Sequence, residues 1–202
     1  MGEPSIGVAV VGAGMAGGKH VLCEKPLADN LTAAQAMVEV MRKTGLIGAV
    51  GYTFRRSPAV NAIREQIRPG SLGKPLHFNG HHWCDYGCDP RVPMSWRYQG
   101  GPGSGALADV GSHLVDLAEF LCGPVQAVSA AIFRTVVTER PLPLAAALGH
   151  AAAKVGEETR LVENEDIATF TATFAGGGVG TFSVSRVAYG LPNSLGFELC
   201  RS

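Results

Sequence analysis

The sequence predicts an α/β chain in two parts. Residues 1–54 read as short parallel strands with a helix, and residues 55–202 as an α+β part built on a mostly antiparallel open sheet. Three observations predict this. Ile6 to Val11 is a β-branched apolar run that ends at Gly12, the pattern of a buried parallel strand. Ile167 to Phe174 alternates, turns through Gly176-Gly177-Gly178 and resumes as Val179 to Val187, the pattern of a hairpin. Between the two the texture changes after "GSLGKP", from compact periodic segments to a long loop rich in glycine, proline and aromatics.

The elements follow in order. Val21 to Cys23 reads as a second strand. Thr32 and Gln35 form a capping box for a helix whose face is Ala36, Met37, Val40 and Met41, and Gly45 closes it. Ile47 to Tyr52 is a third strand candidate. Ser57-Pro58 starts a second helix, with Val60, Ile63 and Ile67 as its stripe and Gly70 as its stop. Leu76 to Trp83 reads as a strand, and Cys84 to Gly105 as a loop long enough to carry function. Ser112 to Leu121 is helical and ends at Gly123-Pro124; Val125 to Val137 is extended. Arg140 to Arg160 is Ala-rich and reads as partly helical.

Composition excludes several classes. Lys plus Arg equals Asp plus Glu at 17 each, so no overall charge favours nucleic acid. Hydrophobic residues make up 46%, enough for a buried core. No apolar stretch approaches the roughly 18 residues of a membrane span, and the N-terminus lacks a signal-peptide pattern; a cytoplasmic protein is expected. Five cysteines without a CxxC pair suit a reducing compartment.

Three groups of residues carry chemistry. "GAGMAG" sets Gly12, Gly14 and Gly17 in G-x-G-x-x-G spacing directly after a strand. That turn lets backbone approach a pyrophosphate, with a following helix N-terminus binding the phosphates. Only Gly18 and Lys19 separate Gly17 from the next apolar run. Two parallel strands usually need a crossover of about a dozen residues, so the helix has no room. Lys25, before Pro26 at the carboxyl end of a strand, stands where α/β folds bind ligands; the plain alternative is a surface lysine. Asp109 and His113, four apart, share a helical face. An imidazole there suits a general base, and the carboxylate can fix its tautomer or hold a substrate hydroxyl. The same spacing also describes an Asp at a helix start and a packed His. Arg55, Arg56, Trp96 and Arg97 are candidates to line a binding pocket, guanidinium groups as donors and the indole as a flat face, with Tyr86 and Tyr189 weaker ones. "HHWCDYGC" holds His81, His82, Cys84 and Cys88, but its spacing fits no standard zinc finger, and adjacent strand residues point to opposite faces; no metal is expected.

"GKHVLCEKPLA" (Gly18 to Ala28) resembles the oxidoreductase family that includes glucose–fructose oxidoreductase and inositol dehydrogenase (Gfo/Idh/MocA), nearest to its levoglucosan and glucoside dehydrogenases. "GYTFRRSPAV", "MSWRYQGGPGSGALADVGSHLVDLAEFLCG" and "FSVSRVAYGLPNSLGFEL" resemble it too, in the family's order. The resemblance implies a Rossmann-like dinucleotide-binding domain followed by an α+β domain. It implies NAD or NADP held by Gly12, Gly14, Met15, Gly17, Glu24, Lys25 and Pro26, with a cis Lys25–Pro26 bond. It implies catalysis by Lys25, Asp109 and His113 on a sugar or cyclitol contacted by Tyr52, Arg55, Arg56, Trp96, Arg97, Asp109 and His113. Hydride transfer between nicotinamide and a hydroxyl-bearing carbon is the expected activity. No nucleic-acid or membrane partner is expected, and a homodimer or homotetramer is. The departures count as well: the family places further strands and a helix between the glycine turn and "GKH", and continues past "GFEL". The dinucleotide domain is therefore expected to be largely missing, with a break between Met15 and Lys19. An inactive fragment or a sugar-binding, oligomerising module is the competing expectation.

Overall fold

The computed structural model describes residues 8–11, 19–67, 73–144 and 154–202. These divide between Thr53 and Phe54 into two compact units. The glycine turn, the expected break between Met15 and Lys19, the Gly70 stop and the Ala-rich stretch at 145–153 lie outside the described residues.

The first unit is a three-stranded parallel sheet in the order β1 (Val8–Val11), β2 (His20–Cys23), β3 (Gly48–Val50). β1 and β2 are parallel although only residues 12–19 join them. Helix α1 (Leu31–Thr44) connects β2 to β3. Its cap is Asn30, not Thr32: Asn30 is extended, and its side-chain oxygen accepts from the Ala33 amide at 2.9 Å. Gly45 ends the helix in the left-handed conformation with φ 66°. Among residues 19–53 only Cys23 is buried, and an apolar cavity of about 350 Å³ is lined by residues of α1, β2 and β3.

The second unit carries a five-stranded sheet. β4 (Pro75–Trp83), β5 (Val125–Arg134), β8 (Ile167–Phe174), β9 (Val179–Ser185) and β10 (Ser194–Arg201) lie in the order β10-β4-β9-β8-β5. Every neighbouring pair is antiparallel except β4 with β9. The stretch expected to be partly helical instead contributes β6 (Glu139–Pro143) and β7 (Val155–Leu161), an antiparallel pair of its own. Strand β10 has no counterpart among the expected elements; its pairing partner lies more than a hundred residues upstream.

The helices cover one face of the sheet. Helix α2 (Pro58–Ile67) turns Val60, Ile63 and Ile67 towards Leu117 and Leu121 of α3 (Ser112–Cys122). Leu114 and Ala118 of α3 pack in turn on Phe78, Phe170, Phe174 and Phe182 from three strands. Phe170 and Phe182 are register partners and stack with centroids 4.5 Å apart. Such pairs contribute about 0.5–1.5 kcal/mol beyond their buried area. Room for the rings comes from Gly80, opposite Phe182. A Cβ there would stand 2.5 Å from Phe78 and 2.9 Å from Leu114. Gly80→Ala is expected to destabilise the unit by about 1–3 kcal/mol through overpacking. A urea midpoint that does not fall would show that the core yields. Among the described residues, no helix is long and apolar enough to cross a membrane.

Candidate active site

In the first unit the register pairs Val11 with Cys23 and Cys23 with Val50, so all three strands end at one rim. The Gly51 amide donates to the Cys23 carbonyl at 2.8 Å and ties the ends of β2 and β3 together. Glu24, Lys25 and Pro26 leave from that rim. Lys25 is half-buried, and its bond to Pro26 is cis, as the resemblance implies. Tyr52 follows Gly51 at the same rim. The carboxyl ends of parallel strands are where such sheets take ligands, so the rim fits the nicotinamide side of a dinucleotide. Gly12, Gly14, Met15 and Gly17 lie outside the described residues.

In the second unit the helix that ends as α3 begins two turns earlier and is widened by a π turn at Leu107–Gly111. Its first turn is capped in trans by Glu165. The Glu165 carboxylate accepts from the Leu107 amide at 2.8 Å, and its backbone carbonyl accepts from Ala106 at 3.1 Å. The glycine-rich run "GGPGSG" therefore meets a carboxylate at this helix start, which leaves no anion site there. Gly105, with φ 86°, lies against the Glu165 carboxylate.

Asp109 sits within the π turn. Tyr86 donates its hydroxyl to Asp109 Oδ2 at 2.8 Å, and Arg97 Nε lies 3.5 Å from the same oxygen, within ion-pair range but outside hydrogen-bond geometry. Burial, and after it the Asp109 charge, pushes the Tyr86 phenol above its ordinary range. Tyr86 therefore stays a neutral donor to Asp109 at physiological pH. The Arg97 guanidinium also lies over the Trp96 ring, 4.3 Å from its centroid, and Trp96 is 63% exposed. His113 follows one turn on and is half-buried, with the Phe54 ring edge-on at 5.2 Å. Asp109, His113, Arg97, Trp96 and Tyr86 thus belong to one neighbourhood of the second unit.

The remaining candidates go elsewhere. Arg55 forks onto the buried Asp116, with Nε donating at 2.6 Å and Nη2 to the other oxygen, and lies over Phe120. Arg56 is exposed and Tyr189 is 92% exposed. His81 stacks on Trp83 on the outer sheet face, while His82 points inward. Among the described residues no three His, Cys, Asp or Glu side chains are grouped to hold a metal.

Several residues that shape this neighbourhood carry no sequence signal. Arg97 owes its place to a buried network: Arg186 and Asn164 both donate to the Arg97 carbonyl, at 2.7 and 3.0 Å. Arg186 pairs with Asp166 at 2.7 Å, and Arg140 donates to the carbonyls of Gly87 and Asp89 within the Cys84–Gly105 loop. The Tyr98 ring takes both Arg140 and Arg186, at 3.9 and 4.6 Å.

Residues 60–199 match the family described as the GFO/IDH/MocA C-terminal domain. The chain belongs to the GFO/IDH/MocA family. Residues 3–52 match its partner description, an oxidoreductase family with an NAD-binding Rossmann fold. Within the GFO/IDH/MocA family, levoglucosan dehydrogenase of Pseudarthrobacter phenanthrenivorans is 36% identical over 184 residues, covering 90% of this chain and 47% of that protein. The 1,5-anhydro-D-fructose reductase of Ensifer adhaerens is 32% identical over 58% of this chain and 35% of its own. A solved levoglucosan dehydrogenase in complex with NADH and L-sorbose superposes with a TM-score of 0.81 at 34% identity, covering 92% of this chain and 46% of that one. The chain spans less than half the length of these relatives.

Proposed function

We propose that this protein works as a cytoplasmic nicotinamide-dependent oxidoreductase. It would transfer hydride between NAD or NADP and a hydroxyl-bearing carbon of a sugar, glycoside, anhydrosugar or cyclitol. The observation that carries the reading is the Asp109–His113 pair on a helix widened by a π turn, with Asp109 held by Tyr86 and Arg97. π turns inside α-helices recur at functional sites. Support also comes from the relatives, which include an anhydrosugar dehydrogenase and an anhydrosugar reductase.

A bound nicotinamide supplies the hydride acceptor. His113 takes the hydroxyl proton as general base. Lys25, in the first unit, is proposed as the fixed positive charge for a developing alkoxide. Asp109, with Tyr86 and Arg97 on one oxygen, holds its carboxylate in place to orient His113 or a substrate hydroxyl. Trp96 offers an exposed indole to a sugar face, and Arg97 a donor to hydroxyls; Tyr52 of the first unit, Arg56 and the part of Arg55 that Asp116 leaves exposed are further proposed substrate contacts. In the reverse direction the same groups protonate a ketone. Glu24, Lys25 and Pro26 would flank the nicotinamide, and Gly12, Gly14, Met15 and Gly17 the pyrophosphate.

Titration with NAD and NADP, followed by absorbance assays over levoglucosan, glucosides, inositols and free sugars, tests the reading. Saturable cofactor binding with sugar-dependent reduction is expected. Absence of binding at millimolar cofactor would overturn it in favour of a sugar-binding module.

A homodimer or homotetramer is proposed through the sheet face turned away from the helices. That face shows Thr169, Thr171, Thr173, Thr181 and Ser183 with few charges. Strand β5 beside it leaves Val128, Ile132 and Phe133 exposed, and a monomer rarely leaves such a surface uncovered. Sedimentation at micromolar concentration is expected to give at least a dimer mass; a monomer refutes the pairing.

A further inference from the structure

His82 is buried to 2% exposure on β4, and the proposed chemistry does not use it. Its Nδ1 lies 2.8 Å from the carbonyl of Val110, the residue after Asp109 in the π turn. A carbonyl only accepts, so Nδ1 donates. Its Nε2 lies 2.9 Å from the Asn193 side-chain oxygen, from the loop that leads into β10; with Nδ1 donating, either a neutral ring accepts there from the amide N–H after the amide turns over, or a charged ring donates to the oxygen. The Phe54 ring stands edge-on to both His82 and His113, at 5.7 and 5.2 Å, and the two imidazole centroids lie 6.0 Å apart.

A π turn shifts the regular i→i−4 ladder. Two side chains bond carbonyls within this one, beside the Ser112 amide that also reaches the Val110 carbonyl. Ser112 Oγ donates to the Ala108 carbonyl at 2.8 Å, and His82 to that of Val110. The two captured carbonyls flank Asp109. Ser112 belongs to the helix itself and moves with it. His82 belongs to the sheet, so its bond ties the turn to an external reference.

We infer that His82, oriented by Asn193, is a positioning residue. It pins the π turn to β4 and thereby sets the directions of Asp109 and His113. The inference rests on the roles proposed for those two residues. A plain packing role predicts that any ring of similar volume serves; a positioning role predicts that the donor at Nδ1 matters.

Hydrogen exchange read by mass spectrometry separates the two, because it needs no turnover. His82→Phe keeps a ring and removes the donor. It is expected to speed exchange across residues 105–114 by roughly 10- to 100-fold through loss of a buried hydrogen bond to the sheet, with β8 and β9 unchanged. His82→Asn puts an amide N–H in the place of Nδ1 and should restore most of the protection. Asn193→Ala, at an exposed position that does not threaten folding, should loosen the same segment by roughly threefold. Unchanged exchange in 105–114, or an equal rise in β8 and β9, overturns the positioning role. In the turnover assay His82→Phe should lower kcat with KM for cofactor unchanged, and His82→Asn should recover it. If the unsubstituted protein turns over no sugar, the functional reading fails, while the exchange result still decides the positioning role.

Discussion

His113→Ala is expected to lower turnover by about 10²- to 10⁴-fold while cofactor affinity changes little. The loss corresponds to about 3–5 kcal/mol of transition-state stabilisation. His113 stands one helical turn beyond Asp109, half-buried, and its ring meets the edge of Phe54. Truncation removes the ring and no strand pairing, so the fold should persist. His113→Gln keeps polarity without a base of suitable pKa and should be equally slow. Lys25→Ala is expected to be comparably slow and to weaken cofactor binding as well, because it follows β2 at the strand-end rim. Steady-state kinetics with the best sugar substrate decide this. Near-normal turnover in His113→Ala would leave His113 as a packing residue.

What the sequence showed and what it hid divide along the range of the forces involved. The hairpin of β8 and β9 was legible because alternation and the Gly176–Gly178 turn are local. So were the Pro58 start of α2 and the Gly45 stop of α1. The Asn30 cap was missed because Asn30 and Thr32 are both good caps, and the chain entered the helix at the earlier one. Strands β6 and β7 were hidden by prolines and by glutamates that face solvent. Strand β10 was hidden by its distant partner. Asp109 and His113 were named from their spacing and the resemblance. The π turn that holds Asp109 was not, because the side chains that bond it, Glu165 and His82, come from other elements. In "HHW" a period of two says that one histidine faces inward without saying which. Only the register with β9 and β10 assigns that to His82. The Arg186 network was equally invisible: an arginine after a strand reads as a surface charge.

That network supplies the largest expected effect on stability. Arg186 and Asp166 are both fully buried and paired at 2.7 Å. The other Asp166 oxygen accepts from the amides of Val136 and Val137, at 2.6 and 2.9 Å. Arg186 also donates to Asn164 and to the Arg97 carbonyl. Arg186→Met keeps much of the volume and strands the Asp166 carboxylate in the core. Removing one partner of a buried pair typically costs about 3–5 kcal/mol, a large part of the 5–15 kcal/mol that holds a domain folded. Arg55→Met, whose side chain is 41% exposed, should cost less because water screens and partly replaces the pair. Adding Asp166→Leu to Arg186→Met should recover part of the loss, since the stranded charge goes with it. The partial rescue should not restore turnover, because Arg97 would still lack its Arg186 contact beside Asp109. Urea unfolding of the single and double variants reads all of this. A loss below about 1 kcal/mol in Arg186→Met would mean that water reaches Asp166 and that the network is not closed.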